Sequence, residues 1–272
     1  MWYNINVKGG FTMRMNNPSM RRALARTQNG ELAVQASPAT YGGIAWKSIY
    51  YAGITIVAAI ASALLIVYAA LTDNADALVT LLISAGVAAV AMLIFSIIIM
   101  FAPNTVQVVG TLYSLCQGFL LGMVSLLLNL VLPGVGYAAI LGTAIVFLIS
   151  VVMNKFLNTR IKSSFLQVMM ISFISLIVVE LIVTIGLMAT GSESLFTAYF
   201  WIQLAITAFC VFYAAVMLMW DLQTANDIVQ MGADKRYEWN VAFALVTTLV
   251  YLYIEILELL ARLALIFGRN KN

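Results

Sequence analysis

"VYLYIEILELLARLAL" (Val250–Leu265) is apolar enough to cross a bilayer, yet it carries Glu255, Glu258 and Arg262. A charge at mid-bilayer costs about 2.5–3.5 kcal/mol on insertion scales. The stretch is therefore either a membrane helix with a reason to hold charge, or no membrane helix at all. The rest of the chain decides for the first. Of its 272 residues 63% are hydrophobic and only 9% are charged, whereas soluble domains carry about 25% charged residues.

A helix of about 20 residues crosses a ~30 Å hydrocarbon core. Seven apolar runs of that length can be drawn: Trp46–Leu71, Ala75–Ala102, Thr105–Leu132, Gly134–Met153, Ser163–Ala189, Thr197–Val229 and Trp239–Phe267. Pro103-Asn104 and Pro133-Gly134 supply the breaks around the third run. None of the runs alternates with a period of two, so the pattern predicts helices, the other way to satisfy the backbone in lipid being a closed barrel. The expected fold is an all-α membrane protein, a bundle of seven transmembrane helices over residues 46–267. A basic N-terminal segment (1–45) precedes it and a short tail (268–272) follows. Small residues in the second run (Ser84, Ala85, Gly86, Ala88, Ala89, Ala91) are a packing signal for close helix approach.

Lysine and arginine fall on one side of this scheme. Lys8, Arg14, Arg21, Arg22, Arg26 and Lys47 stand before or at the start of span one. Lys155, Arg160 and Lys162 follow span four, and Lys235 and Arg236 follow span six. The alternate loops hold Asp73, Asp76 and Glu193 and no base. Positive charge marks the cytoplasmic face, which predicts the N-terminus inside and the C-terminus outside, although Arg269 and Lys271 on the tail run against the rule. The first apolar run is too long for a cleaved leader, so none is expected. Within the N-terminal segment, "NNPSMRRALARTQNG" (Asn16–Gly30) reads either as a capped basic helix on anionic headgroups or as a disordered tail that orients the chain. The basic loops are short and lie at span ends, which suits lipid headgroups and not nucleic acid.

There is no histidine, which removes the usual proton relay, Ser-His nucleophiles and most zinc sites. Phosphate-binding glycine loops are absent, as is the Gly-x-Gly-Asp motif of an intramembrane aspartyl protease. Cys116 and Cys210 both lie inside spans, so a disulfide framework is not expected. Neither an enzyme nor a resident cofactor is expected.

The chemistry left is that of the ionisable residues inside spans. Glu258 and Arg262, acid before base at i and i+4, read as a neutralised pair near the interface. Glu255 lies deeper and must find a partner on another helix, hold a proton or bind a cation. Asp221, in "MLMWDLQTAND", is either a buried acid or part of a helix already leaving the membrane. Glu180, in "SLIVVELIVTIG", is either a functional acid or a protonated one hydrogen-bonded to a neighbour, with Thr184 one turn on.

"KRYEWNVAFALVTTLVYLYIEILELL" (Lys235–Leu260), "WDLQTANDIVQMGA" (Trp220–Ala233) and the N-terminal "NPSMRRALA…ATYGG" resemble the long bacterial form of the Bax inhibitor-1/YccA-like family. "YSLCQGFLLGMVS" (Tyr113–Ser125) resembles its third span. The resemblance covers most of the chain and implies a seven-helix bundle with the last helix near its centre. It implies a bacterial plasma-membrane protein, a pH-sensitive calcium leak, and an acidic pair on spans six and seven that shares a proton. By position that pair falls on Asp221 and Glu255, which would also offer calcium hard oxygen ligands. Gln117 takes a third-span place where many relatives have glutamate. A second activity in the family, binding and modulating a membrane protease or supporting stress survival, makes a membrane partner of the exposed N-terminal segment the competing expectation. Depth tests the pair. Counted from Gly232, Asp221 and Glu255 differ by twelve residues, or ~18 Å in straight helices. If nothing absorbs that offset, Glu180 becomes the alternative partner.

Overall fold

The structure, a computed structural model, describes residues 4–7, 11–14, 38–72, 75–156, 161–190 and 193–269. The proposed basic helix after Asn17 lies outside the described residues. Ahead of it, Asn4–Val7 (β1) pairs antiparallel with Phe11–Arg14 (β2), Asn4 standing opposite Arg14. Strands of four residues are too short to register in a count of apolar runs.

Among the described residues seven helices follow, each long and apolar enough to cross a membrane. They are α1 (Tyr41–Leu71), α2 (Ala75–Phe101), α3 (Val106–Val131), α4 (Val135–Phe156), α5 (Ser163–Thr190), α6 (Glu193–Gln230) and α7 (Tyr237–Arg269). Several begin earlier than the apolar runs. Thr40 caps α1, its hydroxyl accepting the Gly43 amide at 3.0 Å, so polar residues that read as a lead-in belong to the helix. Phe101 ends α2 just before Ala102 and Pro103, and a single 3-10 turn over Pro103–Thr105 leads into α3. The α3–α4 and α6–α7 connections turn at Gly134 (φ 91°) and Gly232 (φ 61°), a backbone region that disfavours residues with a Cβ.

α7 packs against α1, α3, α4 and α6, and meets α5 where Phe173 lies edge-on to Tyr251. α2 rests on α1 and α3, and α5 chiefly on α6, where Phe173 stacks on Tyr213 with centroids 4.4 Å apart. Along α2 and α5, leucine, isoleucine and valine point outward over most of their length. On a soluble protein such a surface would aggregate; on a membrane helix it is the lipid contact.

The closest helix contact is between α1 and α3. Gly110, Ser114, Gly118 and Gly122 recur every four residues and form one buried ridge. A Cβ on Gly118 would strike the Thr55 carbonyl, and one on Gly122 the Ala59 carbonyl and Ser62 hydroxyl. Small residues let backbones approach where no hydrophobic effect drives helices together. Of the small residues of α2, Gly86 faces open space, while Ser84, Ala85, Ala88 and Ala91 are half-buried.

Candidate functional site

Helix α7 carries polar groups on two faces, and the α6-facing one holds the acids singled out from the sequence. Asp221, on α6, is 9% exposed and accepts a hydrogen bond from the Thr248 hydroxyl at 2.6 Å. That bond fixes the depth of Asp221 as level with Thr248. Glu255 lies seven residues further along α7, or ~10 Å. Thr248, Tyr251 and Glu255 share one face at helical spacing.

Asp221 and Glu255 are therefore not brought together, and the expected shared-proton pair is not formed. The hairpin absorbs part of the predicted offset but not all of it. Between Gln230 and Tyr237 the chain spends six residues on the turn rather than on helical rise, so Asp221 lands opposite Thr248. Nor does any group of three or more His, Cys, Asp or Glu side chains stand positioned to hold a metal ion among the described residues.

The seam between α6 and α7 continues from Asp221 toward the opposite end of the bundle. The Tyr251 hydroxyl is buried and faces the Glu255 carboxylate and the Cys210 thiol. Beyond Glu255 the polar groups become connected. Arg262 pairs with Glu258 as the sequence predicts, and it also donates to the Gln203 side-chain oxygen at 2.9 Å. Gln203 in turn donates to Glu180 at 2.5 Å and contacts the Tyr199 hydroxyl. Tyr199 and Thr184 share a hydrogen bond of 2.9 Å. One chain of contacts thus runs from α7 through α6 to α5, and Glu180 finds its partner on α6, not in Asp221. Gln203, which makes the crossing, was not singled out from the sequence because a neutral residue in an apolar run carries no charge signal.

Gln117 occupies another place. It is buried on α3, one turn beyond Tyr113, whose ring packs edge-on against Phe243 of α7. Its amide oxygen has no hydrogen-bond partner, and no contact joins it to Asp221 among the described residues.

The other polar face of α7 holds a second site that the sequence reading passed over. Glu238 is 0% exposed and its carboxylate meets the Lys47 ammonium at 2.5 Å, with Lys47 itself 8% exposed. The same carboxylate accepts from the Thr40 backbone amide at 2.8 Å and the Thr40 hydroxyl at 3.3 Å. Lys47 also donates to the Lys235 carbonyl at 3.3 Å and lies 4.9 Å from the Trp239 ring centre. Gly43 has no side chain because the Glu238 carboxylate fills that space. The Thr40–Gly43 and Glu238–Trp239 segments, both parts of the resemblance quoted above, meet here.

A family model described as Bax inhibitor 1 like matches residues 17–265. No curated protein and no solved structure matches the chain.

Proposed function

Because this chain belongs to the Bax inhibitor 1 like family and has seven apolar, membrane-length helices, we propose that it is a cation leak with calcium as its cargo. On this reading Asp221 and Glu255 are successive carboxylate stations along the α6–α7 seam, not two halves of one site. The observation that carries it is the seam itself. A buried carboxylate, a buried tyrosine hydroxyl, a second carboxylate and a connected polar cluster follow one another along the α6–α7 seam.

Ionisable side chains inside a membrane are costly, and they commonly mark substrate or ion paths. Carboxylate and hydroxyl oxygens are the hard ligands that calcium takes. Two stations ~10 Å apart suit a leak better than a storage site, since conduction needs binding that is weak and repeated. With no histidine in the chain, protonation of these carboxylates is the route by which pH would act. A multi-pass place in a bacterial plasma membrane, with the basic loops in the cytoplasm, belongs to the same reading.

The test is calcium flux into liposomes holding the purified protein, at about pH 6 and about pH 8. Native protein would be compared with Asp221→Asn and Glu255→Gln, singly and together. The reading expects flux that depends on pH and is reduced by either substitution. Flux no greater than in empty liposomes would sink it. The function would then be that of a membrane interaction protein, such as a modulator of a membrane protease, acting through residues 1–45.

A further inference from the structure

The stretch from Pro38 to Lys47 is tied down more tightly than the start of a membrane helix requires. The Ala39 amide donates to the Ala233 carbonyl at 2.8 Å, and Pro38 forms a bridge with Asp234. Thr40 donates to Glu238 through both its amide and its hydroxyl, and Lys47 closes the ion pair. Every tie runs to the α6–α7 turn or the first turn of α7. Between the tied points, Ala39 and Ile44 belong to one buried apolar cluster with Ala225 and Ile228 of α6 and Val241 and Leu245 of α7.

Ala225 is one helical turn from Asp221, and Leu245 is one turn from Thr248. These six side chains therefore lie between the buried acid and the end of the bundle that carries Lys47, Lys235 and Arg236, in a cluster that continues past Asp221 to Leu218 and Leu252. Asp221 lies eleven residues from Gly232, or ~16 Å in from that end.

We propose that residues 38–47 are a plug held by the Lys47–Glu238 latch, and that releasing the latch admits water to Asp221 from the basic end of the bundle. A buried ion pair is poor evidence for stability, because desolvation offsets most of the attraction; its best attested use is to select one arrangement over another. Here the arrangement selected is the one with Ala39 and Ile44 seated. The latch is also made to be specific. The carboxylate enters only where position 43 has no Cβ, and the ammonium is held from three directions by Glu238, the Lys235 carbonyl and the Trp239 ring.

The experiment measures access rather than conduction. Thr248→Cys, in a chain carrying Cys116→Ala and Cys210→Ala, places one thiol beside Asp221. Proteoliposomes are exposed to a charged, membrane-impermeant methanethiosulfonate. Two changes break the latch in different ways: Lys47→Met removes the cation, and Gly43→Ala leaves both charges but displaces the carboxylate. Each is expected to raise the labelling rate at position 248 by about tenfold or more, the factor that follows when ~1.4 kcal/mol is taken from a closed state. Gly86→Ala, on α2 where an added Cβ meets nothing, is expected to leave the rate unchanged.

Labelling that stays at the parent rate in both latch variants, each monodisperse in detergent, would overturn the plug. So would an equal rise in Gly86→Ala. The inference shares with the proposed function only the importance of Asp221. A rise in labelling without any calcium flux would keep the plug and remove the leak.

Discussion

At the start of α7, Glu238 meets Lys47 with the carboxylate wholly buried; near its end, Glu258 meets Arg262 with the Glu258 side chain 45% exposed. Both are carboxylate–base pairs on the same helix, and both are joined to further polar groups. The Glu238 pair links residues 191 apart and fixes α1 to α7. The Glu258 pair is local to one turn, and only the second hand of Arg262, on Gln203, reaches another helix. Burial separates their roles. In a dry site every lone pair and proton must be answered, so the geometry is fixed and the loss of one partner strands the other. A half-exposed pair is not held in this way, and an arginine toward the end of a span can reach its head to water.

The sharpest way to break the comparison is Glu238→Ala. It leaves the Lys47 ammonium buried without its carboxylate, and removing one partner of a buried pair costs about 3–5 kcal/mol. Unfolding in detergent or by steric trapping should show that loss, with Glu238→Gln losing less because the amide still accepts from Thr40. A variant as stable as the parent would mean that the pair is not dry. Next comes the α1–α3 contact, where no charge is involved. Gly118→Leu forces a side chain into the Thr55 carbonyl and Ala58, and overpacking of this kind costs about 1–3 kcal/mol. The same change at Gly86 on α2, which faces open space, should leave the unfolding midpoint where it is. Thr248→Val should follow at about 1 kcal/mol, since hydrogen bonds between membrane helices average less than their counterparts in water would suggest. It removes the one hydrogen bond drawn to Asp221, and calcium flux should change with it if Asp221 is a station.

What the sequence made legible divides along the same line. The seven spans were legible because length and hydropathy are local properties. So was the Glu258–Arg262 pair, whose spacing of four is visible on the page. Lys47 and Glu238 each stand at a span edge, where a charge reads as an orientation signal or as snorkelling, and nothing in either neighbourhood points to a partner so distant in sequence. Gln203 is invisible for another reason: it is neutral, and its part lies wholly in joining Arg262 to Glu180. The depth of Asp221 was nearly legible. Counting rise from Gly232 exposed the mismatch with Glu255, but only the structure shows that six residues of turn bring Thr248, and not Glu255, opposite the acid.

The smallest expected effect sharpens the comparison most. Arg262→Gln removes the base from a pair whose carboxylate is half exposed, and exposed pairs contribute about 0.2–1 kcal/mol. Stability should fall by no more than ~1 kcal/mol, several times less than for Glu238→Ala. Added salt should shrink that difference further, because screening reaches exposed charges and leaves the dry pair nearly untouched. A double-mutant cycle over Arg262 and Gln203, set beside one over Lys47 and Glu238, reads this directly. If the two coupling energies prove equal, exposure does not govern what a charge pair contributes in this bundle, and the contrast between the ends of α7 fails.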